Sequence, residues 1–419
     1  MTLAKRMLEL LRQSLPSSLK SGPQRAAFLA LAGCAALVLS GLWVSERLLE
    51  AAIIALIWMW WRDHTAFSFR TPFLLPLGCF LVWTLIAAAV AGDNPFHRHT
   101  LGKFYLLLIL FIVPPIVRGA GRAAWIFRAI FVVAAVASIL GLAQFFADPH
   151  RGLTDRITGF MSTWMNYSGQ LMLVLVALSA YAFCFGLGRR WWVLFLALLI
   201  ILPLILSLTR NAWLGAAVGL GVVILLRRPR LVPVFFVLLV LLFIASPSGI
   251  RQRFLSALNP SDPNTANRIE LVQTSVRLIR EHPWFGVGPN SVYREALHYR
   301  GTSGYPNWMY QHMHNNFLQI AAERGLPGLI LWLWFMGRLA WDAHRVYRKA
   351  GSGCAQGNGE LPTAEAMMAS TAALGAWAAL LTAGLFEYNF GISAIMILFL
   401  FIVGSPYAFL DDSGQRSFR

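Results

Sequence analysis

Charged residues are scarce in this chain, and their scarcity decides its broad class. Asp, Glu, Lys and Arg make up 13% of the 419 residues, whereas hydrophobic residues make up 58%. A soluble domain typically has about 25% charged residues, so an ordinary soluble fold is excluded. Apolar runs close to the roughly 20 residues that cross a bilayer recur along the chain. They do not alternate with polar residues as barrel strands do, so they predict an all-α polytopic membrane protein.

Cysteine and the common nucleotide-binding motifs are also rare or missing. Of the four cysteines, three lie in apolar runs and one in a predicted internal loop, which favours neither a disulfide nor a metal site. No Gly-rich phosphate loop follows a predicted strand, and no Asp-x-Asp pair is present to hold a divalent cation on a nucleotide sugar. A cytosolic nucleotide-sugar enzyme is therefore not expected. We predict no cofactor and no metal.

Acidic residues are outnumbered, and the formal net charge is +17. The basic residues form short groups between apolar runs. All of these groups fall on one side of the membrane if the N-terminus is internal, as the positive-inside rule requires. The charge therefore reflects topology, both termini are expected in the cytoplasm, and nucleic acid is not expected as a partner.

About twelve membrane helices are predicted, arranged around one long external loop. An N-terminal bundle of about nine helices is expected over residues 1–246, and the external loop over 247–325. C-terminal membrane helices and a short cytoplasmic tail then occupy 326–419. The predicted spans are 26–45, 48–62, 71–92, 101–117, 124–147, 163–187, 191–208, 211–227, 231–246, 326–344, 364–386 and 388–410.

The external loop contains four of the nine histidines and is expected to carry the chemistry. Apolar residues at helical spacing predict an amphipathic helix over 268–281, ending before Pro283. A turn is predicted over 286–290. A second helix is predicted from about Tyr310 to Arg324, which would place His314 in its first turn, close to the membrane surface.

Two arginines are candidates for binding an anion. Arg210 lies between two apolar runs, where a charged side chain is costly unless it reaches the interface or meets an anion. Thr209 and Asn211 flank it and are expected to contact the same ligand. Arg268 opens the predicted loop helix, where backbone N–H groups also favour anions. The alternatives are an interface anchor for Arg210 and a surface ion pair with Glu270 for Arg268.

His314 is the candidate general base, because a neutral imidazole suits proton removal from a hydroxyl nucleophile. A structural histidine and a metal ligand are the alternatives. Metal is disfavoured because His312 and His314, two residues apart, would not converge on one helix, and few carboxylates lie nearby in the sequence. His312 and Asn315 are expected to contact substrate.

Three stretches resemble the O-antigen ligase and polymerase superfamily of bacterial inner membranes. The first is Leu208-Thr209-Arg210-Asn211-Ala212-Trp213. The second is Asn267-Arg268-Ile269 followed by His282-Pro283-Trp284-Phe285-Gly286-Val287-Gly288. The third is His314-Asn315-Asn316-Phe317-Leu318-Gln319 followed by Glu323-Arg324-Gly325-Leu326-Pro327-Gly328. Their order and their placement about the long loop match the superfamily over about residues 200–340.

The resemblance implies a glycosyltransferase with a GT-C type membrane fold and a periplasmic active site in the inner membrane. In the family, arginines at the positions of Arg210 and Arg268 are associated with a lipid diphosphate, and a histidine matches His314. The implied partners are undecaprenyl diphosphate-linked O-antigen, lipid A-core oligosaccharide and membrane lipids. An O-antigen ligase is preferred because little chain follows the last predicted span. An O-antigen polymerase, a protein O-oligosaccharyltransferase and a transporter are the alternatives.

Overall fold

The computed structural model describes residues 14–63, 71–92, 101–147, 155–186, 191–256, 259, 261–301, 306–356 and 363–410. Every regular element in these ranges is helical, which confirms the predicted all-α class. The α-helices are α1 (Gly22–Leu37), α2 (Leu42–Asp63), α3 (Leu74–Val90), α4 (Ile109–Val117), α5 (Arg122–Phe146), α6 (Trp164–Phe185), α7 (Trp191–Leu206), α8 (Arg210–Arg227), α9 (Val232–Ala245), α10 (Ser248–Leu255), α11 (Pro263–Glu281), α12 (Val292–Tyr299), α13 (Asn316–Gln356), α14 (Thr363–Ala383) and α15 (Ser393–Gly404). Short 3-10 helices cover Lys103–Leu108, Pro229–Leu231, Asn307–Gln311, Asn389–Gly391 and Ser405–Phe409.

Four of the described helices, α5, α6, α8 and α14, are long and apolar enough to cross a membrane, and several shorter apolar helices accompany them. The predicted span 26–45 does not exist as one helix. The carbonyl of Leu37 accepts hydrogen bonds from the N–H groups of Ser40 and Gly41, which turns the chain between α1 and α2. The total of twelve spans stays a prediction.

Glycines bring α8 and α14 into backbone contact. A Cβ atom at Gly219 would lie 2.9 Å from the Gly375 carbonyl oxygen, and one at Gly215 would lie 2.8 Å from the Ala379 carbonyl oxygen. Small residues allow such close packing of membrane helices. Because Gly215 also faces Ala383, the two helices run antiparallel. The N-terminal end of α8 therefore lies at the same end of the bundle as the C-terminal end of α14.

The predicted external loop has a small hydrophobic core of its own, separate from the main core. Its buried members are Leu271, Leu278, Val287, Val292, Ala296, Met309, Tyr310, Met313 and Ala322. On α11, the predicted amphipathic helix is present. Ile269, Val272 and Val276 are exposed, whereas Leu271, Leu278 and the partly buried Ile279 pack into the loop core.

Two helix starts differ from prediction because side-chain oxygens cap them. The helix predicted over 268–281 is α11, which begins at Pro263, five residues before Arg268. The Asp262 carboxylate accepts a hydrogen bond from the N–H of Thr265. The second predicted loop helix begins at Asn316. The side-chain amide oxygen of Asn315 caps it by accepting hydrogen bonds from the N–H groups of Phe317 and Leu318. His314 therefore precedes this helix instead of lying in its first turn.

The motif stretch 282–288 is hydrogen-bonded to the stretch 323–328 and its neighbour Ala322 in α13. Val287 N–H donates to the Ala322 carbonyl (2.9 Å), and Gly288 N–H donates to the Glu323 carbonyl (3.0 Å). The predicted turn over 286–290 is present, and its Gly286 has φ +64°. Gly325 has φ +70° and kinks α13, and a Cβ there would lie 2.0 Å from the Trp284 carbonyl oxygen. These glycines thus serve close packing beside the site.

Candidate functional site

A buried carboxylate, Glu387, joins two histidines at the end of α14. Its Oε2 lies 2.9 Å from His314 Nδ1, and its Oε1 lies 3.1 Å from the same nitrogen. His312 Nδ1 lies 3.6 Å from Oε1, and the two imidazole rings have centroids 4.1 Å apart. Glu387 is 1% exposed. We call these three residues the histidine–carboxylate cluster.

The cluster was not predicted, because Glu387 lies 73 residues after His314 in the chain. A signal for it was nevertheless present in the sequence. Glu387 is the single carboxylate between the predicted spans 364–386 and 388–410. Ionisable residues at such positions are rare and usually functional.

His314 is held in a backbone conformation that few non-glycine residues adopt, with φ +45°. Strained conformations of this kind cost about 1–3 kcal/mol and are kept where surrounding contacts fix them. Here the Asn315 amide nitrogen donates to the Leu385 carbonyl (2.9 Å) while its oxygen caps α13. On the other side, Met313 N–H donates to Gln319 Oε1 (2.7 Å). The residues immediately before and after His314 are therefore both anchored.

Arg268 lies beside the cluster. Its guanidinium donates to the carbonyl of Phe386, the residue before Glu387. The predicted alternative partner, Glu270, instead accepts hydrogen bonds from Gly301 N–H and from the Thr274 hydroxyl. Arg268, His314 and Asn315 thus all contact the short segment 385–387.

Arg210 is joined to this region by the loop. Its guanidinium donates to the Ser256 hydroxyl (3.0 Å), and the Ser256 carbonyl accepts from Thr265 Oγ1 (3.0 Å). Thr265 and Arg268 are three residues apart on α11 and therefore lie on one face of the helix. The antiparallel packing of α8 on α14 also places Arg210 at the Glu387 end, since it precedes Gly215 by five residues, about 7–8 Å along a helix.

Arg210 is the first residue of α8, and its predicted neighbours are both buried. The Thr209 hydroxyl donates to the Ser207 carbonyl (3.0 Å), and Asn211 is 8% exposed. A helix N-terminus presents unpaired backbone N–H groups and a positive dipole end, which favour an anion. The guanidinium and the helix end thus favour the same kind of ligand.

Burial and mutual interaction set the charges in the cluster. Burial, followed by the adjacent His314, lowers the pKa of His312 to about 4, with Glu387 opposing the shift and Arg268 adding to it. His312 is therefore neutral at pH 7. For Glu387, burial alone would raise the pKa of the carboxyl, but hydrogen bonding and charge from His314, then His312 and the Tyr388 N–H, lower it below its ordinary value. An ionised Glu387 beside an imidazole is the arrangement of a general base with an orienting carboxylate.

The same three side chains offer ligand atoms that all lie within 4.8 Å of one another, close enough to be considered for a metal ion. The expectation that the two histidines would not converge depended on both being helical. They lie outside α13, with His312 extended, and their rings meet. At this position the negative charge of Glu387 favours a cation, and the positive charge of Arg268 opposes one.

One cavity borders the cluster through His312, and a second shares Tyr388, Asn290 and Gly391 with the first. The larger is about 350 Å³, and His312, Tyr388, Tyr293, Arg294, Gln311 and Gln319 are among the residues that line it. The smaller, about 110 Å³, is lined by Lys103, the Glu323–Arg324 ion pair and apolar residues such as Leu400. Lys103 Nζ donates to the Gly391 carbonyl (3.3 Å). Neither Arg210 nor Arg268 is among the described residues that line the larger cavity.

Sequence comparisons identify similar proteins. Residues 195–333 match the profile of a family described as O-Antigen ligase. A protein of Rickettsia felis named "Putative polysaccharide ligase" is 25% identical over 315 residues, covering 70% of this chain and 72% of that protein. A similarly named protein of Rickettsia conorii is 28% identical over 188 residues, covering 41% and 44%. An O-antigen polymerase of Salmonella muenchen is 26% identical over 238 residues, covering 52% and 56%.

The matched range begins in α7 and ends in α13, so it contains Arg210, Arg268, His312 and His314 and stops before Glu387. The relatives are named both as ligases and as a polymerase. Residues 195–333 are thus similar to the O-antigen ligase family, which agrees with the resemblance seen in the three motifs.

Proposed function

We propose that this protein is an O-antigen ligase, a glycosyltransferase that moves a glycan from undecaprenyl diphosphate to a sugar hydroxyl of lipid A-core. The observation that carries the proposal is the pairing of His314 with the buried carboxylate of Glu387, next to Arg268. A base with an orienting carboxylate activates a hydroxyl, and arginines neutralise a diphosphate leaving group. The glycan as the transferred group is inferred from the match to the O-antigen ligase family.

Arg210 and Arg268 bind the diphosphate of the donor in this proposal. The planar guanidinium donates two parallel hydrogen bonds to phosphate oxygens, and the first turn of α8 adds backbone N–H groups. As the bond between the sugar and the phosphate breaks, negative charge grows on the diphosphate. Fixed donors aimed at such a charge are commonly worth about 3–4 kcal/mol each. The prenyl tail stays in the lipid between membrane helices.

His314 removes the proton from the acceptor hydroxyl. Its Nδ1 faces Glu387, so the proton on this nitrogen is held by the carboxylate and Nε2 is left as the basic nitrogen. The hydroxyl oxygen then attacks the anomeric carbon from the face opposite the diphosphate. This single displacement inverts the anomeric configuration, needs no metal and takes its driving force from the activated donor.

The proposal includes a GT-C type fold of about twelve spans in the bacterial inner membrane. Both termini face the cytoplasm, and residues 247–325 lie in the periplasm with the site. The active site then meets donor and acceptor at the outer surface of the bilayer, where both are displayed.

The test is transfer by purified protein in nanodiscs, with lipid-linked glycan as donor and a chelator present. Lipid A-core is the acceptor in one arm, and a second lipid-linked glycan is the acceptor in the other. We expect extension of lipid A-core and no loss of rate with chelator. Wild-type protein that extends neither acceptor contradicts the proposed function.

An O-antigen polymerase is the second candidate, because one relative carries that name. It uses the same donor chemistry, with a second lipid-linked glycan as acceptor. Extension of that glycan alone in the second arm favours the polymerase.

A further inference from the structure

The 350 Å³ cavity beside His312 is not used by the diphosphate chemistry. Its size falls in the range of about 300–1,000 Å³ typical of small-ligand sites. The residues lining it come from three regions of the chain: α12 and the turn before it, α13 and the segment before it, and the segment after α14. A cavity assembled in this way is shaped by the docking of the loop on the membrane bundle.

The chemistry of the lining suits a sugar ring. Tyr293 and Tyr388 provide aromatic faces for the C–H groups of a ring, and Gln311 provides an amide for hydroxyls. Tyr293 is 41% exposed, so much of its side chain is accessible to a ligand. Aromatic side chains with a polar end are well suited to such partly polar ligands.

One lining residue adds a specific charge. Arg294 is 70% exposed, and its ion-pair distance to the Glu295 carboxylate is 3.8 Å, longer than a hydrogen bond. A guanidinium has five N–H donors, so a ligand can still be bound by several of them. His312 is neutral at pH 7, which leaves Arg294 as the positive charge among the described lining residues.

The position of the cavity distinguishes the acceptor from the donor. Arg268 contacts the carbonyl of Phe386 and is not among the described residues that line the cavity, whereas Tyr388 and His312 are. In an inverting displacement the nucleophile and the leaving group lie on opposite faces of the anomeric carbon. A hydroxyl held against His312 is also next to His314, because the two rings are 4.1 Å apart.

We propose that this cavity is the acceptor subsite and that Arg294 recognises an anionic group, a phosphate or a carboxylate, on the acceptor sugar. The inference rests on the proposed function, since it names the acceptor side of the same site. It makes Arg294 a specificity-determining residue for the acceptor.

The experiment compares Arg294→Gln with wild type in the nanodisc transfer assay, at varied acceptor and varied donor concentrations. The matched control is Arg280→Gln, an exposed arginine of the same loop. We expect the KM for lipid A-core to rise on the order of tenfold in R294Q, as loss of a charge-assisted contact predicts, with kcat and donor KM unchanged. R280Q should behave as wild type.

Acceptor chemistry identifies the anion. Lipid A-core dephosphorylated with hydrogen fluoride removes phosphate, and carboxyl-reduced lipid A-core removes carboxylates. The treatment that removes the recognised group should raise the wild-type KM to the R294Q value and leave R294Q unaffected. An R294Q acceptor KM equal to that of wild type overturns the inference, and so does an increase confined to the donor KM.

A binding measurement separates this inference from the proposed function. Saturation-transfer NMR with the oligosaccharide released from lipid A-core reports occupancy without any transfer. Weaker signals with R294Q than with wild type support the subsite even when no transfer occurs with any acceptor. Equal signals for both proteins contradict it.

Discussion

Replacing Glu387 by glutamine should slow transfer strongly without unfolding the protein. In the wild type, Oε1 accepts from Tyr388 N–H (3.0 Å) and Oε2 faces His314 Nδ1 (2.9 Å). The backbone N–H needs an acceptor, so the glutamine oxygen takes the Oε1 position and its NH₂ group faces His314. A donor facing Nδ1 favours the tautomer with its proton on Nε2, the nitrogen that has to accept the substrate proton.

The size of the effect follows from two contributions. A hydrogen bond to a charged group contributes about 1.5–3 kcal/mol, which corresponds to a factor of about 10–150 in rate. The wrong tautomer adds to this loss, and the corresponding carboxylate-to-amide change in a serine protease triad lowers kcat by about 10⁴. We therefore expect kcat of E387Q to fall by about 10²–10⁴, between these two limits.

The assay is transfer to lipid A-core at saturating donor and acceptor, over a range of pH. Glu281→Gln is the control, since Glu281 contacts Tyr299 outside the cluster. The reasoning is refuted by a folded E387Q protein whose kcat stays within about threefold of wild type. Such a loss is far smaller than the loss expected from removing one charge-assisted hydrogen bond.

Three further outcomes are expected. Arg210→Lys should lose transfer, because a point charge does not replace the bidentate guanidinium. Arg228→Lys, beyond the other end of α8, should retain transfer. Equal transfer rates for the two variants contradict a role of Arg210 in diphosphate binding. His312 has a folded pKa of about 4, below the ordinary 6.5, so its contribution to stability is present above pH 6.5 and is lost as pH falls toward 4. The melting temperature of His312→Gln in detergent should therefore depend less on pH than that of wild type across this window, and identical slopes argue against it. Gly219→Val should reduce the yield of folded protein in gel filtration, because even a Cβ would lie 2.9 Å from the Gly375 carbonyl oxygen; a normal yield contradicts the close packing of α8 on α14.

The sequence was sufficient for the elements that depend on local pattern. Apolar runs predict the helices α5, α6, α8 and α14, and the glycines after Phe285 predict the turn at 286–290. The start of α13 was not predicted, although Asn315 has a side chain that helix N-caps prefer. The boundaries were missed where a cap moved them, as at Asp262 and Asn315.

Long-range contacts were not predictable in this way. The φ of +45° at His314 was not predicted, because Asn315 beside it is held by the distant Leu385 carbonyl. Glu387 meets His314 only because α14 returns the chain to the same end of the bundle. The cavity that Arg294 and Tyr388 line likewise depends on how the loop docks.

The measurement that tests the central claim most directly is transfer by His314→Ala in nanodiscs, beside wild type and the exposed-histidine control His298→Ala. With lipid-linked glycan, lipid A-core and chelator present, we predict that wild type and H298A transfer the glycan and that the product has an inverted anomeric configuration. H314A should show no transfer above background. Wild-type-level transfer by folded H314A protein would contradict the assignment of the base.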